Sequence, residues 1–98
     1  MTEAVAEERS EEEVRQTIRG IIAEVAPEGG DEVRSELRLV EDLSFHSLSL
    51  LELAFTLEDE FDLPPIDEEV ARSITTVDHV EQHVVDNLAE RGELAGRE

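Results

Sequence analysis

Leu43-Ser44-Phe45-His46-Ser47-Leu48-Ser49-Leu50-Leu51-Glu52-Leu53, running on to Phe61, decides how this chain is read. A stretch without period ends here and a strong helical pattern begins. Turned by about 100° per residue, the segment from Ser47 to Phe61 shows two apolar stripes. Leu50, Leu53, Ala54, Leu57 and Phe61 share one face. Leu48, Leu51 and Phe55 lie nearly opposite, interleaved with Glu52, Glu58 and Asp59. The first stripe is expected to build the core. Unpaired carboxylates are rarely buried, so the second reads as exposed and suited to a partner. Ser47 stands at the mouth of this helix. Locally it is an N-cap. The free N–H groups and dipole of a helix N-terminus equally suit a phosphate ester there.

Working outward, Ser10-Glu11-Glu12-Glu13 is a capping-box pattern. Val14, Ile18, Ile21, Ile22 and Val25 follow at helical spacing, which predicts a helix from about Glu11 to Ala26. Pro27 and Gly29-Gly30 are expected to end it. From Pro27 to His46 the apolar residues Val33, Leu37, Leu39, Val40 and Leu43 fit no period for long. A loop of roughly twenty residues is unusual in a small domain and often functional; its leucines must pin it across the core. Beyond the central helix, Pro64-Pro65 breaks the pattern. Asp67-Glu68-Glu69 with Val70 and Ile74 predicts a short helix from about Glu68 to Ser73. Thr75-Thr76 caps a last helix carrying Val77, Val80, Val84 and Leu88, expected to reach about Glu90. No strand pattern is convincing. The expected fold is all-α: a small four-helix bundle of three main helices, one short helix and a long first loop. Residues 1–9 are expected to be a flexible acidic lead-in, 10–90 the domain, and 91–98 a flexible tail.

Composition narrows the function. The chain has 98 residues, 27 acidic and 8 basic, for a net charge of −19. Phosphate backbones and anionic membranes need Lys and Arg, so nucleic acid and membrane surfaces are poor partners. Basic patches on proteins are the natural complement. There is no cysteine, hence no disulfide and no thiol nucleophile. Every basic residue is Arg. The N-terminus is acidic rather than signal-like and no apolar run is long enough to span a bilayer, which predicts a cytoplasmic protein.

The other candidate sites are weak. Phe45-His46-Ser47-Leu48-Ser49 lacks the glycines of a nucleophile elbow, and His46 has no orienting partner, so hydrolysis is not expected. His79 and His83 have metal-ligand spacing, but His79-Val80-Glu81-Gln82-His83 is not H-E-x-x-H; a solvated face and no metal are expected. The acidic clusters lack EF-hand spacing.

Leu39-Val40-Glu41-Asp42-Leu43-Ser44-Phe45-His46-Ser47-Leu48, then Leu57-Glu58-Asp59-Glu60-Phe61 and Ile74-Thr75-Thr76-Val77, resembles the acyl carrier protein family from about Val14 to Leu88. The resemblance implies that Ser47 carries 4′-phosphopantetheine from coenzyme A as a phosphodiester, so the arm supplies the missing thiol. It implies a carrier without catalytic activity, a phosphopantetheinyl transferase, and acyl-loading and acyl-transferring enzymes that dock through basic patches. Leu48, Leu51, Glu52, Phe55, Glu58 and Asp59 fall at the docking positions. Leu53, Leu57, Phe61 and Ile74 are plausible lining for an acyl chain. The family's Asp-Ser-Leu is His46-Ser47-Leu48 here, which bears on the choice of transferase. A start methionine and a short chain suit a discrete, monomeric carrier. Its cargo is read as acyl (fatty acid, polyketide or a related lipid-modified product), with an aminoacyl or peptidyl carrier as the alternative. An unmodified acidic interaction module is the reading from a different class.

The charge generates a prediction. Like charges repel in the compact state, and divalent cations relieve that repulsion. Millimolar magnesium is expected to raise the melting temperature; a melting curve unchanged across a magnesium titration would refute this.

Overall fold

In the computed structural model, residues 9–27 and 32–95 are described. Four helices follow in order: α1 (Glu11–Val25), α2 (Ser47–Phe61), α3 (Glu68–Ser73) and α4 (Val77–Glu90). The expected bundle is present, with α1 ending one residue early. Ala26 is its C-cap, donating to the Ile22 carbonyl. Gly29-Gly30 and residues 1–8 lie outside the described residues.

Each N-terminus is capped as its sequence suggests, α2 excepted. Ser10 Oγ accepts from Glu13 N–H at 3.1 Å, and Glu13 accepts from Ser10 N–H at 3.2 Å, completing a capping box. Asp67 accepts from Val70 N–H at 2.8 Å, and Thr76 from His79 N–H at 3.2 Å. Helix α2 ends at Asp62 in the left-handed region, with φ 55°. Arg91 donates to the Phe61 and Asp62 carbonyls at 3.0 and 2.6 Å, satisfying acceptors that a helix end leaves open.

The core joins Val14, Ile18 and Ile22 of α1, Leu53, Leu57 and Phe61 of α2, and Val77, Val80, Val84, Val85 and Leu88 of α4. Leu39 and Phe45 of the long loop enter it as well. Helical periodicity identified the helix residues; Phe45, in a segment without period, it did not.

Strands were not expected, and two short ones form. Arg9–Ser10 (β1) pairs in parallel with Leu94–Ala95 (β2). The expectation of a loose tail from residue 91 is corrected as far as Ala95. Leu94 is buried in the core, Arg91 binds the end of α2, and backbone pairing joins the tail to the start of α1. Residues 96–98 lie outside the described residues.

A buried carboxylate crosses the bundle. Glu81 of α4 has 0% exposure. Its Oε1 meets Arg15 Nη1 at 2.6 Å and its Oε2 meets Arg19 Nε at 2.8 Å, both from α1. Ser35 of the loop donates its hydroxyl to the same carboxylate at 3.0 Å. Burial acts to lower the Arg15 pKa, but hydrogen bonds to Glu81 and Glu11 outweigh it and leave the value raised. The charge on Arg15 is therefore secure wherever the fold exists.

Removing Arg15 leaves a buried anion with one of its two cationic partners gone, whereas removing Glu81 leaves two partly exposed arginines that can turn toward water. Arg15→Ala is expected to lower the unfolding free energy by about 3 kcal/mol, and the volume-filling Glu81→Leu by about 1 kcal/mol. Urea titrations of both variants check this; a larger loss in Glu81→Leu would contradict it.

Candidate functional site

The loop before α2 is held by its backbone. Leu39 N–H donates to the Thr75 carbonyl at 2.9 Å and Val77 N–H to the Leu37 carbonyl at 2.9 Å, with an isolated antiparallel bridge between Arg38 and Thr76. Asp78 N–H donates to the Ser35 carbonyl at 2.8 Å. Asp42 closes a turn on Arg38, accepting from its N–H at 2.8 Å. Ser44 then takes the left-handed conformation, φ 63°, which turns the chain so that Phe45 is buried and His46 starts α2. Such a backbone costs a non-glycine residue energy and persists only where its surroundings hold it. Here the Phe45 N–H bond to the Leu39 carbonyl at 3.0 Å does so.

Ser47 is the first residue of α2, and the N-cap is His46. The reading of Ser47 as the cap is thus corrected. The cap position is extended, with φ −133° and ψ −178° at His46. His46 makes no side-chain capping bond. Ser49, which the sequence did not single out, makes the reciprocal half of a capping box: its Oγ accepts from His46 N–H at 2.8 Å and donates to the His46 carbonyl at 3.0 Å, leaving the first-turn N–H groups open. Ser49 is buried and Ser47 is exposed. With Ser49 serving the backbone, the Ser47 hydroxyl stands at the surface over the first turn, with no hydrogen-bond partner among the described residues.

Electrostatics set this end apart. Helices α1, α3 and α4 carry acids in their first turns; α2 carries none. In a chain of charge −19, the N-terminus of α2 is the one left without a carboxylate. Its positive dipole end is open to an anion.

Beside Ser47 lies a cavity of about 430 Å³, walled chiefly by aliphatic side chains of α2, α3, α4 and the loop. Leu50, Leu53, Ala54 and Leu57 supply one side; Leu39, Ile66, Ile74 and Val80 supply much of the rest. Leu53, Leu57 and Ile74 are thus at the wall. Phe61 is not: as the last residue of α2, a turn past Leu57, it packs into the core where Arg91 caps the helix.

The opposite face of α2 is open. Leu48 and Phe55 are each 63% exposed, and Leu51, 53% exposed, also reaches the edge of the cavity. Glu52 and Asp59 are exposed beside them. Glu58 is half-buried and accepts from Ile66 N–H at 3.3 Å, so it also holds the turn toward α3. The two histidines of α4 do different things. His79 Nδ1 accepts from Thr75 N–H at 3.1 Å and is part of the cap. His83 is half-buried and lines the cavity instead of a solvated face. Among the described residues no cluster of His, Cys, Asp or Glu could hold a metal, and no helix is long and apolar enough to cross a membrane.

Residues 16–84 match the phosphopantetheine attachment site family. A Mycobacterium tuberculosis chain assigned as an acyl carrier protein superposes with a TM-score of 0.68 at 33% identity, covering 74% of this chain and 96% of that one. The acyl carrier protein of Enterococcus faecalis superposes with a TM-score of 0.65 at 35% identity, covering 80% and 98%. The acetyl form of the actinorhodin acyl carrier protein of Streptomyces coelicolor gives 0.60 at 29%, covering 79% and 92%. The fold and the attachment region define a carrier of a covalent arm, not an enzyme. The chain belongs to the acyl carrier protein family, and its cofactor is phosphopantetheine.

Hydrogen bonds from the Arg38 backbone and side chain hold the Asp42 carboxyl below its usual range. A carboxyl depressed in the folded state adds stability above its ordinary pKa and loses it as pH falls through the folded value. Asp42→Asn is therefore expected to be less stable than the parent at neutral pH. The difference should vanish as pH drops below the carboxylate range, read from melting temperatures at stepped pH.

Proposed function

We propose that Ser47 is the residue to which phosphopantetheine is joined, and that the protein holds acyl groups on that arm for delivery to separate enzymes. The absence of acid in the first turn of α2 carries this reading. A phosphodiester at Ser47 would meet unpaired N–H groups and the positive end of the helix dipole, with no first-turn carboxylate to repel it. The exposed hydroxyl is the other requirement, and the Ser49 hydroxyl is already engaged with the His46 backbone. Among the serines of this segment, Ser44 lies in the turn and Ser49 is buried.

The thioester cargo has the cavity beside Ser47 as its apolar receptacle, with Leu53, Leu57 and Ile74 in the wall. An aliphatic wall favours an acyl chain over an aminoacyl group, whose ammonium it could not solvate. Fatty acyl and polyketide chains both suit this chemistry. The face bearing Leu48, Leu51, Glu52, Phe55, Glu58 and Asp59 is the docking surface, an apolar strip rimmed by acid that complements basic patches on loading and transfer enzymes.

His46 sets the choice of transferase, because a histidine stands where the family motif has aspartate. A carboxylate there would add negative charge, and an affinity for magnesium, directly beside the incoming phosphate.

Incubation with coenzyme A and a broad-specificity phosphopantetheinyl transferase is expected to add one phosphopantetheine to the intact mass, and none to Ser47→Ala. The alanine variant should remain folded, since Ser47 is not the cap. An adduct persisting in Ser47→Ala would overturn the assignment. His46→Asp is expected to be modified faster than the parent by a fatty-acid-type transferase; equal rates would remove His46 from the argument.

A further inference from the structure

We propose that His83 makes the cavity beside Ser47 selective for oxygen-bearing acyl chains, hydroxy- or oxo-substituted, over fully reduced chains of the same length. This rests on the carrier reading of Ser47 and names the class of cargo. The cavity, about 430 Å³, lies within the roughly 300–1,000 Å³ of small-molecule sites. Its wall is aliphatic apart from three polar side chains: Ser47, Glu68 and His83. Ser47 is the attachment point. Glu68 is exposed and paired with Arg72 Nη2 at 3.4 Å, so water and a cation already serve it. His83 is different. It projects from the middle of α4, one turn beyond Val80, and is half-buried in the wall.

Its ring is poorly satisfied. The polar neighbour of Nε2 is Asn87 Nδ2 at 3.5 Å, a long contact, and that amide already donates to the His83 carbonyl at 3.0 Å. The imidazole therefore retains hydrogen-bonding capacity inside an aliphatic wall. A saturated chain that covers it displaces water and returns no hydrogen bond, which is unfavourable. A chain with a hydroxyl or carbonyl restores one, because imidazole can accept from the first and donate to the second. A site with a polar group of this kind discriminates against analogues that leave it unpaired.

Ser47 can be loaded from coenzyme A analogues with hexanoyl, β-hydroxyhexanoyl and β-oxohexanoyl chains. Amide-linked forms serve for NMR and thioesters for hydrolysis. The ring resonances of His83 are expected to shift with either oxygenated chain, and far less with hexanoyl. Thioester hydrolysis, each rate divided by that of the same thioester on free pantetheine, should be slower for the oxygenated chains by about five-fold. His83→Leu should abolish that preference, and His83→Gln, which keeps hydrogen-bonding groups, should retain part of it. Equal ring shifts with all three chains, or a preference that survives in His83→Leu, overturns the inference and leaves the carrier reading intact. Failure of Ser47 to take any arm overturns the carrier reading and the inference with it.

Discussion

The carboxylate of Glu81, wholly buried between two arginines and a serine, is the constraint on which the rest depends. An isolated charge in a protein interior is strongly unfavourable, so the geometry around it must be complete for the fold to persist. Completing it requires α1 to present Arg15 and Arg19, and the long loop to bring Ser35, to the same carboxylate of α4. A helix pair and an irregular segment are thereby registered against each other at one point. Apolar packing alone would tolerate sliding; a carboxylate with three directional partners does not.

That registration reaches the site. With Ser35 placed, the loop runs beside the α3–α4 junction and exchanges backbone hydrogen bonds with it through Leu37, Leu39, Thr75 and Val77. Leu39 then forms part of both the core and the cavity wall. The turn at Ser44 buries Phe45 and delivers His46 and Ser47 to the start of α2. The order in which the loop meets the core thus fixes where Ser47 emerges and what lies beneath it.

Charge is distributed with the same economy. Carboxylates stabilise three helix N-termini, as the dipole favours, and are withheld from the fourth. The fourth belongs to α2, where the family's anionic arm is expected. The acids of α2 sit further along it, at Glu52, Glu58 and Asp59, around an apolar strip that is exposed among the described residues. One helix therefore has a first turn free of acid, an exposed apolar strip rimmed by acid, and a cavity wall.

The helices were legible in the sequence because each signal is local. Spacing of valines, isoleucines and leucines at three and four, the Ser10 and Thr76 caps and the breaks at Pro27 and Pro64-Pro65 are set by neighbours along the chain. The residues around Ser47 and the double stripe of α2 were legible for the same reason. What stayed hidden lies between elements. Glu81 reads as one more surface acid until two arginines from α1, more than sixty residues away in the chain, close on it. Phe45 and Leu94 look like stray apolar residues until the loop and the tail fold back on the helices. Ser49 rather than Ser47 turns inward to the His46 backbone, and His83 faces a cavity, because rotation about the helix axis is decided by what packs against it. Periodicity along a chain determines which elements form; only the closing of distant segments on one another determines which charges are buried and which side chains meet the site.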